Sequence, residues 1–174
     1  MTKEEIKSGL NEKFEGLFQW VESQSDELFE VAIEGKWSPG QHVDHLIKST
    51  APLNQALGMP KLALRTMFGK NNREERTYDG VVAKYTEKIQ AGGVAAGRFV
   101  PKTIGNGQKQ TLINDLKSER DKLLKLIDKW NDKHMAAYVV PHPLIGKMTI
   151  NEILYFTIYH TGYHLDLLKR DYPG

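Results

Sequence analysis

The chain has no cysteine among its 174 residues. This excludes disulfide frameworks, thiolate metal sites and a cysteine nucleophile, so any metal must be held by histidine and carboxylate. Long apolar runs are missing too: nothing approaches the roughly 20 residues of a membrane span. The start, Met1-Thr2-Lys3-Glu4-Glu5, lacks the apolar core of a signal peptide. A cytoplasmic protein without membrane contact is therefore expected. There is no credible alternating strand pattern, no phosphate loop and no nucleophile elbow. Lys/Arg stripes interleaved with aromatics are also lacking, so no nucleic-acid partner is expected.

What remains is the composition of an ordinary globular protein, 40% apolar and 26% charged. One domain over residues 1–174 is expected. The net charge of +2 is unevenly spread. Residues 61–109 carry ten Lys/Arg against four Asp/Glu, a net +6, and the remainder carries −4. That segment reads as a solvated surface, or more sharply as a rim that attracts an anionic ligand.

Four segments read as long amphipathic helices. The first opens on a capping box, Thr2 to Glu5, and repeats Ile6, Leu10, Phe14, Leu17 and Val21 at helical spacing. The second opens at Ser38-Pro39-Gly40-Gln41 and continues with Val43, Leu46, Ile47, Thr50, Leu53 and Leu57. The third covers about 111–132, with Leu112, Leu116, Leu123, Ile127 and Trp130 on one face. The fourth begins with a further capping box, Thr149 to Glu152, and runs to Lys169. The pattern predicts an all-α fold, a four-helix bundle.

Between the second and third helices lies a partly helical insertion, residues 58–108. Met59-Pro60 ends helix two, and residues 77–90 can form a shorter helix with Val81, Val82, Tyr85 and Ile89. Glycines at 92, 93, 97, 105 and 107 then mark a flexible stretch. A segment of this length suggests a lid or binding loop. Tyr155, Tyr159 and Tyr163 form a stripe on the fourth helix opposite its apolar face, so either this insertion or a second subunit must cover it.

The fourth helix also carries His160 and His164. Spaced i and i+4, their imidazoles project from one face and can reach one point, a common way to hold a divalent transition metal. The second helix offers His42 and His45 as a third ligand. Periodicity alone favours His42, which lies nearer the apolar stripe.

The stretch Trp37-Ser38-Pro39-Gly40-Gln41-His42-Val43-Asp44-His45-Leu46 resembles the second-helix motif of the DinB/YfiT-like bundle family, regarded as metalloenzymes. Pro141-His142-Pro143-Leu144-Ile145-Gly146 resembles the approach to the last helix in many members. The likeness covers roughly 1–57 and 109–170. It implies that His45, just before a Leu, joins His160 and His164 as metal ligands. His42 is then expected at the surface or behind a ligand, and His142 at the site mouth or in loop packing. Many members have an acid where Gln41 stands, so capping is retained here but a carboxylate role is lost. Trp37 is expected as a core anchor and His134 at the surface.

Three neutral histidines suit zinc or nickel and leave positions open for a small-molecule substrate. The resemblance implies thiol S-transferase chemistry, with a low-molecular-weight thiol as cosubstrate and its anionic groups held by the basic 61–109 segment. The alternatives are a metal-dependent hydrolase, or a non-catalytic metal-binding or interaction protein. The family often dimerises, so a homodimer is expected. Asp44 and Asp166 neighbour the ligands in sequence but project away from them by helical phase.

Overall fold

Three capping boxes start three of the four long helices. The computed structural model describes residues 1–173. Helix α1 (Lys3–Ser23) follows Thr2, whose hydroxyl accepts from the Glu5 amide while the Glu5 carboxylate accepts from the Thr2 amide. Helix α3 (Pro39–Gly58) follows Ser38, paired in the same reciprocal way with Gln41. Helix α8 (Ile150–Asp171) follows Thr149, paired with Glu152. Each box satisfies two otherwise orphaned amides. The fourth long helix, α6 (Lys109–Ile127), begins without a side-chain cap.

These four form the bundle. Helix α1 packs between α6 and α8, and α3 runs along α6 but meets α8 at few points. Leu10, Phe14 and Leu17 of α1, Val43 and Leu46 of α3, Leu116 and Leu123 of α6, and Leu154 and Leu168 of α8 are buried. Each such side chain contributes about 1.5–3 kcal/mol relative to exposure. Gly40, in the first turn of α3, permits a close approach. A Cβ there would lie 2.7 Å from Cε1 of Phe29 in the short helix α2 (Asp26–Glu30).

The insertion is more structured than its glycines suggest. It holds α4 (Lys61–Phe68), α5 (Tyr78–Gln90) and a 3-10 turn, Gly97–Phe99. Its anchor is the α8 capping residue. Glu152 is fully buried and receives both guanidinium nitrogens of Arg73 at 2.6 and 2.7 Å, together with the Arg76 amide at 2.7 Å. Desolvation alone would raise the Glu152 carboxyl, but these donors hold it below the usual carboxylate range. Helix α5 packs on α8, with the Tyr85 ring 6.0 and 6.2 Å from those of Tyr159 and Tyr163, and Tyr78 6.2 Å from Tyr155. The insertion thus packs against the tyrosine stripe within one chain, burying Tyr155 and leaving Tyr159 and Tyr163 half-buried.

Two departures from the sequence reading concern the third helix and the absence of strands. Helix α6 stops at Ile127 because Asn131 caps a new helix, α7 (Asp132–Ala137), by accepting from the His134 amide. Trp130 is buried outside α6, and its indole N–H donates to the Leu57 carbonyl at 3.1 Å. Residues Val139–His142 (β1) and Gly146–Thr149 (β2) form an antiparallel hairpin just before α8, with His142 opposite Gly146. Proline at 141 and 143 hides this hairpin from a period-2 reading. No helix among the described residues is long and apolar enough to cross a membrane.

Candidate metal centre

The groove where α3 and α8 diverge holds the histidines. His45 and His42 come from the first two turns of α3, His160 and His164 from the middle of α8, and all four are buried. Each of His45, His160 and His164 offers a ring nitrogen within 4.8 Å of the other two. His160 Nε2 lies 3.2 Å from His45 Nε2 and 3.0 Å from His164 Nε2. Around a tetrahedral zinc with bonds of about 2.0–2.1 Å, nitrogens stand roughly 3.3 Å apart. The spacing therefore fits a small divalent cation.

The outer nitrogens decide what the inner ones present. His45 Nδ1 lies 2.7 Å from the carbonyl oxygen of Phe99, an obligate acceptor, so Nδ1 carries the proton and Nε2 is a bare lone pair. His164 Nδ1 lies 2.7 Å from His42 Nδ1. For His164 Nε2 to offer its lone pair, His164 Nδ1 must donate and His42 Nδ1 accept, which places the His42 proton on Nε2. His160 Nδ1 has no protein partner among the described residues; its ring is held instead by Phe156, stacked at 4.7 Å and 23°. Without a cation, at most one Nε2 proton, on His160 or on His164, can lie among three converging nitrogens. That electrostatic arrangement favours a positive charge between them.

Burial keeps these rings neutral. Desolvation lowers His160 and His164 well below the ordinary imidazole value, reinforced by neighbouring histidines. Burial, with the charge of His45 adding to it, lowers His42 to about 4. Burial also lowers His45, against the opposing effect of its hydrogen bond to the Phe99 carbonyl. Neutral imidazoles are the form that binds metal.

A cavity of about 590 Å³ opens beside the cluster. His42, His45, His160 and His164 line it, as do Trp37, Tyr85 and His142. Trp37 is half-buried and packs against the rings of His42, His45 and His164 at 5.6, 5.0 and 6.2 Å, so it walls the site and does not anchor the core. His142 Nδ1 accepts from the amides of Leu144 and Ile145, both at 3.2 Å. The hairpin turn fixes that ring on the cavity wall, and burial lowers it to about 4. His134 is half-buried against Tyr138 and takes no part in the site.

Sequence reasoning missed the Phe99 carbonyl, because a backbone acceptor has no residue-type signature. Its support was visible but unread. Asp44 pairs with Lys48 at 2.5 Å and accepts from the Lys102 amide, while Lys48 donates to the Val100 carbonyl. These two residues, one turn apart on α3, clamp the segment that follows Phe99. Of the ten basic residues in 61–109, Arg98 lines the cavity, and the others lie outside its lining.

A family model described as the DinB superfamily matches residues 10–168. No curated protein matches the sequence closely. Among solved structures, TT2238, described as a four-helix bundle protein, is 16% identical with a TM-score of 0.62, covering 97% of this chain and 99% of that one. YfiT from Bacillus subtilis, described as a probable metal-dependent hydrolase with an unusual four-helix bundle topology, is 19% identical with a TM-score of 0.62, covering 98% and 87%. The colibactin self-resistance protein ClbS, solved in complex with a dsDNA, is 16% identical with a TM-score of 0.59, covering 97% and 93%. At these identities the likeness speaks for the fold alone.

The neutral histidines set a pH dependence. Their folded-state values lie below the unfolded one of about 6.5, so the unfolded chain binds more protons and stability falls as pH falls through that value. Urea unfolding of chelator-treated protein should therefore lose more than about 1.4 kcal/mol per pH unit between about pH 6 and 5, the signature of more than one proton. A pH-independent midpoint over that window would contradict the burial of neutral imidazoles.

Proposed function

The chain belongs to the DinB superfamily, and on that premise we propose that it is a divalent-metal-dependent enzyme acting on a small molecule. The observation carrying this reading is the convergence of three Nε2 atoms on the wall of a cavity, rather than within packed core. His45, His160 and His164 would hold the cation, zinc or nickel by donor type. Three protein ligands leave one side open to the cavity, as in catalytic sites. Bound there, the cation supplies Lewis acidity, lowering the pKa of a thiol or water that reaches its open side.

The chain's own residues do the rest. The Phe99 carbonyl and His42 fix the tautomers of His45 and His164, and Phe156 fixes the plane of His160. Transfer of a low-molecular-weight thiol is the leading reading. Lys36, Arg98 and Arg170 line the cavity around the histidines and suit the anionic groups such thiols carry. The one carboxylate in the lining, Asp171, is engaged by Arg170 at 2.7 Å and Lys36 at 3.6 Å. No lining carboxylate is thus left to serve as general base. Ester or amide hydrolysis is the second reading, favoured by the likeness to YfiT.

Metal titration tests the ligand set. Replacing His45, His160 or His164 by Ala should abolish stoichiometric binding of zinc or nickel. His42→Phe should keep the stoichiometry but weaken affinity about 10- to 100-fold, the usual cost of losing a partner behind a ligand. If His42→Ala strips the metal while His45→Ala leaves it bound, the assignment is wrong.

Activity tests the reaction. Zinc- and nickel-loaded protein should transfer glutathione, cysteine or coenzyme A to an aryl halide such as chlorodinitrobenzene, and both chelation and His160→Ala should abolish turnover. Thiol-independent hydrolysis of nitrophenyl esters would select the second reading. Stoichiometric metal with neither activity would make the chain a metal-binding protein and overturn the enzyme reading.

A further inference from the structure

The cavity is longer than a three-histidine site requires. Close approach of His42 to His164 and of His45 to His160 shows that α3 and α8 run antiparallel across it. The α3 wall continues from His45 through Ser49 and Leu53 to Ala56, and the α8 wall from His160 through Phe156 to Ile153. At 1.5 Å per residue, the stretch from His45 to Ala56 spans about 16 Å. Ile89 of α5, Val140 of β1 and Leu144 of the hairpin turn line the same space.

Charge along this groove is one-sided. Its charged lining residues are Lys36, Arg98, Arg170 and Asp171. All flank the histidines: Lys36 adjoins Trp37, Arg98 adjoins Phe99, and Arg170 and Asp171 lie one to two turns beyond His164. Beyond the histidines, Ser49 and Thr157 turn their hydroxyls into the helices. Ser49 donates to the His45 carbonyl at 2.9 Å and Thr157 to the Ile153 carbonyl at 2.8 Å. A charged group lodged beside Leu53, Ala56 and Ile153 would lose water without a countercharge, whereas an apolar chain would gain by burial.

We propose that this groove binds the extended acyl chain of a small-molecule substrate, whose polar, reacting end lies at the three histidines. The identity of that end as the reacting one rests on the enzyme reading above; the apolar arm does not. The charged residues near the histidines suit a polar head, and the three-turn wall selects for length.

Calorimetric titration of chelator-treated protein with butyrate, octanoate and dodecanoate tests this directly. Affinity should rise with chain length, with dodecanoate at least about a hundredfold tighter than butyrate. Ala56→Trp, which fills the far end, should remove most of the advantage of dodecanoate over octanoate while zinc uptake by the histidines stays unchanged. Should the indole prevent folding, Ala56→Phe tests the same point with a smaller ring. Affinity independent of chain length, or a length dependence that the folded variant leaves intact, would overturn the proposal. Because the titration needs no metal, its failure leaves the metal reading standing. Chain binding in a protein that takes up no metal would overturn the enzyme reading and not this one.

Discussion

A neutral imidazole has one proton to place, and its outer nitrogen decides where the inner lone pair points. The site depends on that constraint more than on any packing contact. His45 has its proton drawn outward by a backbone carbonyl, and His164 has in His42 a partner able to receive its own. The buried setting keeps the rings uncharged and, by excluding water, strengthens each of these bonds. With the His164 proton passed to His42, two lone pairs are aimed at a third ring held by an aromatic stack. Nothing else in the bundle has comparable convergence: among the described residues, these three histidines are the one group of metal-capable side chains drawn to a single point.

The orienting groups are supplied from far along the chain. The segment containing Phe99 belongs to the insertion, and Asp44 and Lys48 of α3 hold the residues just after it. The insertion is in turn fastened to the start of α8 by Glu152, a residue that also caps that helix. One buried carboxylate therefore ties helix initiation to the covering of the site. Losing either role would leave a buried charge with too few donors, a costly state in an apolar interior. The same insertion brings Tyr85 against Phe156 and His160, closing the side of the cavity that the four long helices leave open.

The bundle is legible because its helices announce themselves locally. Capping boxes at Thr2, Ser38 and Thr149 and the 3–4 spacing of Ile6, Leu10, Phe14 and Leu17 depend on neighbours in sequence. The choice between His42 and His45 is not legible in that way. Both are buried on α3, and helical phase favours His42, the ring that lies behind His164 and outside the three-nitrogen cluster. Only the family motif points to His45. The hairpin at 139–149 escapes because it is two-stranded, proline-bearing and only four residues per strand. Trp37 is misjudged because an aromatic at a helix start reads equally as core or as cavity wall. The partners of Arg73 and of the Phe99 carbonyl lie 79 and 54 residues away, beyond the reach of any periodicity.

The central claim is that three imidazoles share one cation and leave it a side open to the cavity. X-ray absorption of the zinc- or nickel-loaded protein measures this most directly. Scattering from three imidazole rings plus one or more light, exchangeable ligands is expected, and the exchangeable ligand should give way to sulfur when a small thiol is added. Fewer than three imidazoles, or a closed shell that no added thiol enters, would contradict it.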